Sequence, residues 1–393
     1  MFKRSAFYFV LPLLSILAFS AERSQPAIRA TLRTFIDAKD ISGAVTVVAT
    51  KDRILDTDAV GLADVADNKP MRTDSLFWIA SMTKPVTAVA VLMLQDEGKL
   101  RVTDPVEKYI PEFSALKTPS GQPAQITIQQ MLTHTSGLGE ADIAAVRNAH
   151  SLGDLIPLYL SAPMQYEPGA RWKYTQSGIN VSAHIVEVVS GMPFDKFVQK
   201  RILKPLGMKN TTFYLNKKSR SHLVTPYTKD KTTGVLVAAP PLTGFGLEGH
   251  PPFGNGGLFS TGPDYARFCQ MLLGGGVFDG KHYLSPAAFQ LLTTIQTGEL
   301  ATGFLQTAEY GSHGSNYGWG IGVAILRTPH EGVAAMLSPG TFGHGGAWGT
   351  QAWIDPVRGI AYILMIQRPG MNGDASEIRR AFQQSAFDAF AKQ

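Results

Sequence analysis

Phe77-Trp78-Ile79-Ala80-Ser81-Met82-Thr83-Lys84-Pro85 runs without a break into the apolar stretch Val86 to Leu94, joining a serine and a lysine to a buried rod. Residues i and i+3 of a helix share a face, with Cβ atoms roughly 5–6 Å apart, so the Ser81 hydroxyl and the Lys84 amine can share a proton. A hydroxyl needs a neighbouring base to attack a carbonyl at neutral pH. A lysine is that base only when burial lowers its pKa from the free value of about 10.4. Val86, Val89, Ala90, Leu92, Met93 and Leu94 cover most faces of the predicted helix, which places the nucleophile on the first turn of a central rod. Pro85 is tolerated in a first turn, where its missing N–H has no intrahelical acceptor, and the orphan N–H groups around Ser81 suit an oxyanion. Gly98 ends the helix.

Spacing alone decides nothing, because Ser114-Ala115-Leu116-Lys117 has the same form. That second match follows Pro111 and precedes Pro119-Ser120-Gly121, a turn-rich surface composition with no apolar helix behind it. It is expected to be inert.

The 393 residues can bury a large core, and a chain with 44% hydrophobic residues, 17% charged residues and 39 glycines is an ordinary globular one, neither disordered, collagenous nor a long coiled coil. Lys3 and Arg4, the apolar stretch from Phe7 to Phe19 and the small residues Ala18, Ser20 and Ala21 have the arrangement of a cleavable export signal over residues 1–20. The apolar part is short for a membrane span, so an uncleaved anchor is the lesser reading. A periplasmic or secreted chain is expected, with no membrane span in its mature part. Removing Lys3 and Arg4 from 36 basic residues leaves 34 against 31 acidic ones, a net charge of about +3 without a basic run, so nucleic acid is not an expected partner. Cys269, the single cysteine, lies at helical spacing beside Phe268 and Leu272 and reads as a small buried residue.

Ala27 to Ala38 carries an apolar stripe at Ile28, Leu32, Phe35 and Ile36, and predicts a helix. Gly43–Ala49 and Ile54–Gly61 predict a hairpin across Lys51-Asp52-Arg53, and Leu76 to Ile79 a short strand leading to Ser81. From Asp104 to about Lys204 the pattern is mostly helical, with helices at Ile128–Leu132 and Gly178–Val189. His134 and His184 have no metal-ligand spacing and read as packed or capping residues. The Thr-, Pro- and Gly-rich stretch of about 215–257 reads as long loops near a cleft, and Gly256 to Asp264 as a tight turn into a helix reaching Leu273. Strand patterns return at Gly320–Leu326, Trp348–Ile354 and Ala361–Gln367. The chain closes on a helix with the stripe Ile378, Phe382, Ala386 and Phe390, opened by the capping pattern Asp374-x-x-Glu377. Strands at both ends around a helical middle imply one sheet built from the two ends of the chain.

Ser81-Met82-Thr83-Lys84, Tyr174-Thr175-Gln176 and His344-Gly345-Gly346 stand in the order of three marks: S-x-x-K, Y-x-N or S-x-N, and K-T-G or H-x-G on a strand. With Leu132 to Leu138, Pro168-Gly169, Tyr174 to Asn180 and Gly256 to Ala266, the chain resembles the serine penicillin-recognising family along nearly its whole mature length. That family includes class C β-lactamases, D-alanyl-D-alanine peptidases and β-lactamase-like carboxylesterases.

The resemblance implies an α+β fold: an antiparallel sheet flanked by N- and C-terminal helices, plus an inserted mainly helical domain. Residues 21–393 would be one catalytic unit, with the sheet subdomain at about 21–80 and 305–393 and the insertion at about 81–304. It also implies that Ser81 is acylated, that Lys84 is its proton partner, and that Tyr174 is a second base suited to activating water. Ala347 N–H would join Ser81 N–H on the oxyanion, the glycines at 345 and 346 letting backbone approach substrate. On their own residues, Tyr174 also reads as a packed aromatic and 343–349 as a glycine-rich hairpin with a solvent-facing histidine. Two departures bear on substrate. Gln176 stands where the family usually has Asn, one methylene longer and so expected to miss the same point. His344 replaces the fixed cation of K-T-G, and Gly345 removes a hydroxyl.

No G-x-S-x-G elbow, H-E-x-x-H, Walker A loop or G-x-G-x-x-G after a strand occurs, so neither a metal nor another cofactor is expected. The expected protein is a secreted serine hydrolase acting on a small-molecule ester, β-lactam or peptide through a Ser81 acyl-enzyme. The alternatives are a D-amino-acid or cell-wall peptidase, and a non-hydrolysing binder of peptidoglycan-like ligands. Nothing in the sequence speaks to oligomeric state.

Overall fold

The computed structural model describes residues 25–239, 249–302, 316–329, 335–370 and 376–390. The predicted leader and Asp374 of the helix-opening pattern lie outside them. Five stretches and the helices between them build the site. The first carries α1 (Pro26–Asp37), β1 (Gly43–Ala49), β2 (Ile54–Asp64) and β3 (Lys69–Pro70). Next come the short β4 (Phe77–Trp78) and α2 (Thr83–Asp96), then α3 (Ile128–Leu132) and α4 (Ser177–Ser190). β5 (Phe259–Ser260), α5 (Gly262–Leu273) and α6 (Pro286–Thr293) follow. The last stretch holds β6 (Tyr317–Trp319), β7 (Ala324–Leu326), β8 (Phe342–Gly345), β9 (Gln351–Asp355), β10 (Ile360–Met365) and α7 (Glu377–Phe390).

Eight strands form one antiparallel sheet in the order β6-β7-β8-β9-β10-β1-β2-β3. Its middle seam pairs Val45 with Met365 and Val47 with Ile363, so the two ends of the chain meet there as the strand pattern implied. The terminal helices α1 and α7 pack on each other, burying Ile28 and Leu32 with Phe382 and Ala386. α5 covers the opposite face on β1 and β10, where a Cβ on Gly262 would stand 3.0 Å from the Val47 side chain and 3.1 Å from that of Val45. Every residue of β1 and β10 is buried, as a strand covered on both faces requires. Cys269 is buried on α5, and its burial raises the thiol pKa. Among the described residues no helix is long and apolar enough to cross a membrane.

α2 is the rod that the apolar run predicts: from Thr83 to Leu94 every residue is buried, among α4, α6 and β8. Gly98, at φ +70°, ends it in the left-handed conformation. The nucleophile turn differs in one respect from the expectation. Ser81 lies just before the α-helix, on a tighter 3-10 turn over Ala80–Met82. Ala80 at φ +45° makes the bend from β4 into that turn, a conformation that costs a non-glycine residue roughly 1–3 kcal/mol. Surrounding bonds hold it: Thr83 Oγ1 donates to Ala80 O at 2.7 Å and accepts from Leu258 N at 3.1 Å, while the Tyr265 hydroxyl donates to Met82 O at 2.9 Å. Thr83→Val keeps the shape but leaves the buried Leu258 N–H without its acceptor, while Ala80 O keeps the Thr83 N–H; it is expected to lower stability by about 1–3 kcal/mol, read as the shift of a urea midpoint.

Candidate active site

Lys84 is 0% exposed, and its amine sits at the centre of the converging elements. Nζ lies 3.1 Å from Ser81 Oγ, 2.9 Å from Gln176 Oε1 and 2.8 Å from the Asn255 carbonyl oxygen. Burial drives its pKa well below the ordinary lysine range, with the Glu140 carboxylate pulling the other way. The two oxygens from Gln176 and Asn255 can only accept. A neutral amine therefore gives one N–H to each and turns its lone pair toward the Ser81 hydroxyl.

Each contact has its own support. Gln176 ends the irregular segment before α4, and its Oε1 also accepts from Asn255 Nδ2 at 2.8 Å. The extra methylene thus carries the amide to Lys84 rather than past it. Asn255 N donates to Asn180 Oδ1 at 3.1 Å, and Asn180 Nδ2 donates to the Tyr159 hydroxyl at 2.9 Å, so the 254–257 loop is tied to α4. Thr87 Oγ1 fixes the same loop to α2 through Gly254 O at 2.7 Å. Glu140 accepts from Gln176 N and Ser177 N, capping the N-terminal end of α4. Burial of its carboxyl end raises the Glu140 pKa, and those two donors oppose the rise.

The Tyr174 ring faces Lys84, with Nζ 4.6 Å from its centroid. Around it stand His134 at 4.5 Å and His344 at 6.0 Å between ring centroids, and Trp319 closes on both histidines at 5.1 and 5.8 Å. His344 is buried, which corrects the solvent-facing reading. Its Nδ1 donates to Gly345 O at 2.7 Å. Burial and the nearby Lys84 charge push its pKa down to about 3, so it is neutral at working pH and supplies no fixed cation.

Gly346 is pressed against the nucleophile segment: a Cβ there would stand 2.6 Å from Ile79 O, and Thr350 Oγ1 donates to Ile79 O at 3.3 Å. The turn after β8 is thereby stitched two residues ahead of Ser81, with Ala347 exposed on it. The geometry gathers Ser81, Lys84, Tyr174, Gln176 and His344 and brings the Gly345–Ala347 turn beside them. It leaves Ser114 aside, on a surface turn where its hydroxyl donates to Pro111 O at 2.7 Å. Asn255 and Glu140 escaped assignment from sequence, and His134 was read only as a packed or capping residue; Asn255 stands one residue before the glycine-rich phrase at 256, which was its only signal. Among the described residues no group of three or more His, Cys, Asp or Glu could hold a metal ion.

The sequence pattern of the Beta-lactamase family runs through residues 28–386. The chain belongs to that family. It is 32% identical to Protein Rv1367c of Mycobacterium tuberculosis, over 88% of this chain and 91% of that protein. It is 29% identical to Esterase EstB of Burkholderia gladioli, over 91% of this chain and 94% of the esterase. Simvastatin synthase (LovD) from Aspergillus terreus has the same fold: TM-score 0.77 at 20% identity, with 93% of this chain and 98% of that one covered. The α+β class and the family resemblance are thereby established, and the protein is a β-lactamase-family hydrolase.

Ser81→Ala is expected to abolish covalent labelling by a fluorophosphonate, seen by intact mass, whereas Ser114→Ala should be labelled like the wild type. Lys84→Ala should slow labelling at least about 100-fold, the scale of lost general-base catalysis. Because the Lys84 pKa is lowered, the labelling rate should rise with pH through a midpoint below that of free lysine, as the amine loses its proton.

Proposed function

We propose that the protein is an ester hydrolase that works through a Ser81 acyl-enzyme. Neutral Lys84 takes the Ser81 proton as Oγ bonds to the acyl carbon, and the oxyanion is received by the N–H groups of Ser81 and Ala347. The Tyr174 hydroxyl protonates the departing alkoxide and then draws a proton from the water that attacks the acyl carbon; as the acyl–Oγ bond breaks, Lys84 returns its proton to Ser81 Oγ and the acid is released. Gln176 and Asn255 keep Lys84 in place for both halves.

The observation that carries ester over β-lactam or D-alanyl peptide is His344. Penicillins and peptides ending in D-alanine bear a carboxylate, which a fixed lysine on this strand would attract; an imidazole with its pKa near 3 offers no such charge. The likeness to an esterase over most of both chains supports the same choice. The 3.1 Å approach of Lys84 to Ser81 favours a working hydrolase over a non-hydrolysing binder. We propose also that the chain is exported, on the composition of residues 1–20, so that material recovered from outside the cytoplasm should begin near residue 21 by mass.

Purified protein would be given p-nitrophenyl esters, a chromogenic cephalosporin and a D-Ala-D-Ala peptide. The expected outcome is kcat/KM on the best ester at least about 100-fold above the other two, a difference large enough to mark transition-state preference. Faster cephalosporin or peptide cleavage would overturn the ester reading. A matched neutral and anionic ester should share one pH profile between about pH 5 and 9, because His344 does not change charge in that range. A selective loss on the anionic ester as pH rises would restore an electrostatic role to His344.

A further inference from the structure

Tyr174 belongs to no regular element: from Arg171 to Gln176 the chain is irregular, and α4 begins only at Ser177. A catalytic hydroxyl on such a segment needs external support, and both flanks of Tyr174 bond to a single residue. Lys173 N donates to the main-chain oxygen of His134 at 3.0 Å, and Thr175 N donates to His134 Nδ1 at 3.2 Å. The His134 ring lies against the Tyr174 ring, 4.5 Å between centroids, and crosses Trp319 and Trp172 at steep angles. His134 itself is 1% exposed and holds φ +61°, a left-handed conformation that is uncommon outside glycine. Its Nε2 is buried with no hydrogen-bond partner among the described residues. A strained, buried imidazole with one orphaned nitrogen is a poor choice for packing alone, and strain of this kind gathers where a site needs a fixed geometry.

We propose that His134 is a positioning residue for Tyr174, its Nδ1 lone pair and main-chain oxygen gripping the two peptide groups that flank the tyrosine. The inference rests on the role given to Tyr174 above. Acceptance at Nδ1 requires an imidazole without a proton there. Burial above all lowers the His134 pKa well below its ordinary value, and Lys84 and His344 disfavour a further positive charge beside them.

The test is the turnover of an alkyl ester, whose alkoxide and attacking water both depend on Tyr174, in the full-length protein, with fluorophosphonate labelling as the separate check that Ser81 and Lys84 remain competent. His134→Asn places an amide oxygen near the Nδ1 position and tolerates a left-handed backbone. It should stay within about fivefold of wild type in kcat. His134→Phe keeps ring volume but offers no acceptor, and should lower kcat by about 30-fold or more with KM within about threefold. Should the Phe variant fail to fold, His134→Gln serves instead, since its amide reaches the Nε2 position and leaves Thr175 N–H without an acceptor. In a Tyr174→Phe background the Phe or Gln change should cost less than about threefold, because the group being positioned is already gone.

Phe equal to or better than Asn, a loss that follows melting temperature rather than acceptor geometry, or a full multiplicative loss in the Tyr174→Phe background would each overturn the proposal. An unlabelled wild type would sink the serine-hydrolase reading and this inference with it. A labelled wild type with undiminished His134→Phe sinks this inference alone.

Discussion

One buried amine governs the molecule. Removing an ammonium from water costs several kcal/mol after relaxation, and burial lowers the Lys84 pKa well below its ordinary range, with no carboxylate bonded to the amine to offset it. Gln176 and Asn255 are neutral, so neither would hold the proton on the amine; Glu140 is nearby but spends its oxygens on the backbone of α4. The solvent-free rod of α2 therefore does two things with one set of apolar residues. It anchors the core, and it makes a base.

The same desolvation extends across the site. Burial lowers the pKa of Lys84, His134 and His344 alike, and a positive charge on Lys84 further disfavours one on either histidine. What remains is a pocket rich in rings, in which polar groups are few and directional. A site of this kind discriminates by shape and hydrogen bonding more than by net charge, which agrees with the loss of the strand lysine found in K-T-G.

The features legible in the sequence were those set by local geometry. Ser81 and Lys84 are three residues apart and needed only helix periodicity; β1 and α3 fall on the residues their patterns predict, at Gly43–Ala49 and Ile128–Leu132. The second S-x-x-K could be set aside because its neighbours lacked an apolar rod. Asn255 could not be read in this way, since its contact with Lys84 spans 171 residues and depends on how a glycine-rich loop folds over α2. The partner of the Gln176 amide was not legible either, since its contact with Lys84 depends on a backbone position that Glu140 holds from another loop. For His344 glycine content left a solvent-facing alternative beside the substrate-site reading, and only the fold shows Trp319 and Tyr174, far apart in the chain, enclosing it.

The seam between β1 and β10 carries a consequence for how the protein comes into being. Val45 and Met365 are partners, so the central pair of the sheet cannot close until almost the whole polypeptide is present, and the entropy of closing so large a loop must be met before its contacts repay it. Until then β1 has an unsatisfied edge and the turn beneath Ser81 lacks the β8–β9 corner that locks Ile79. A growing chain thus lacks a finished nucleophile, and reactivity arrives last, together with β8 to β10.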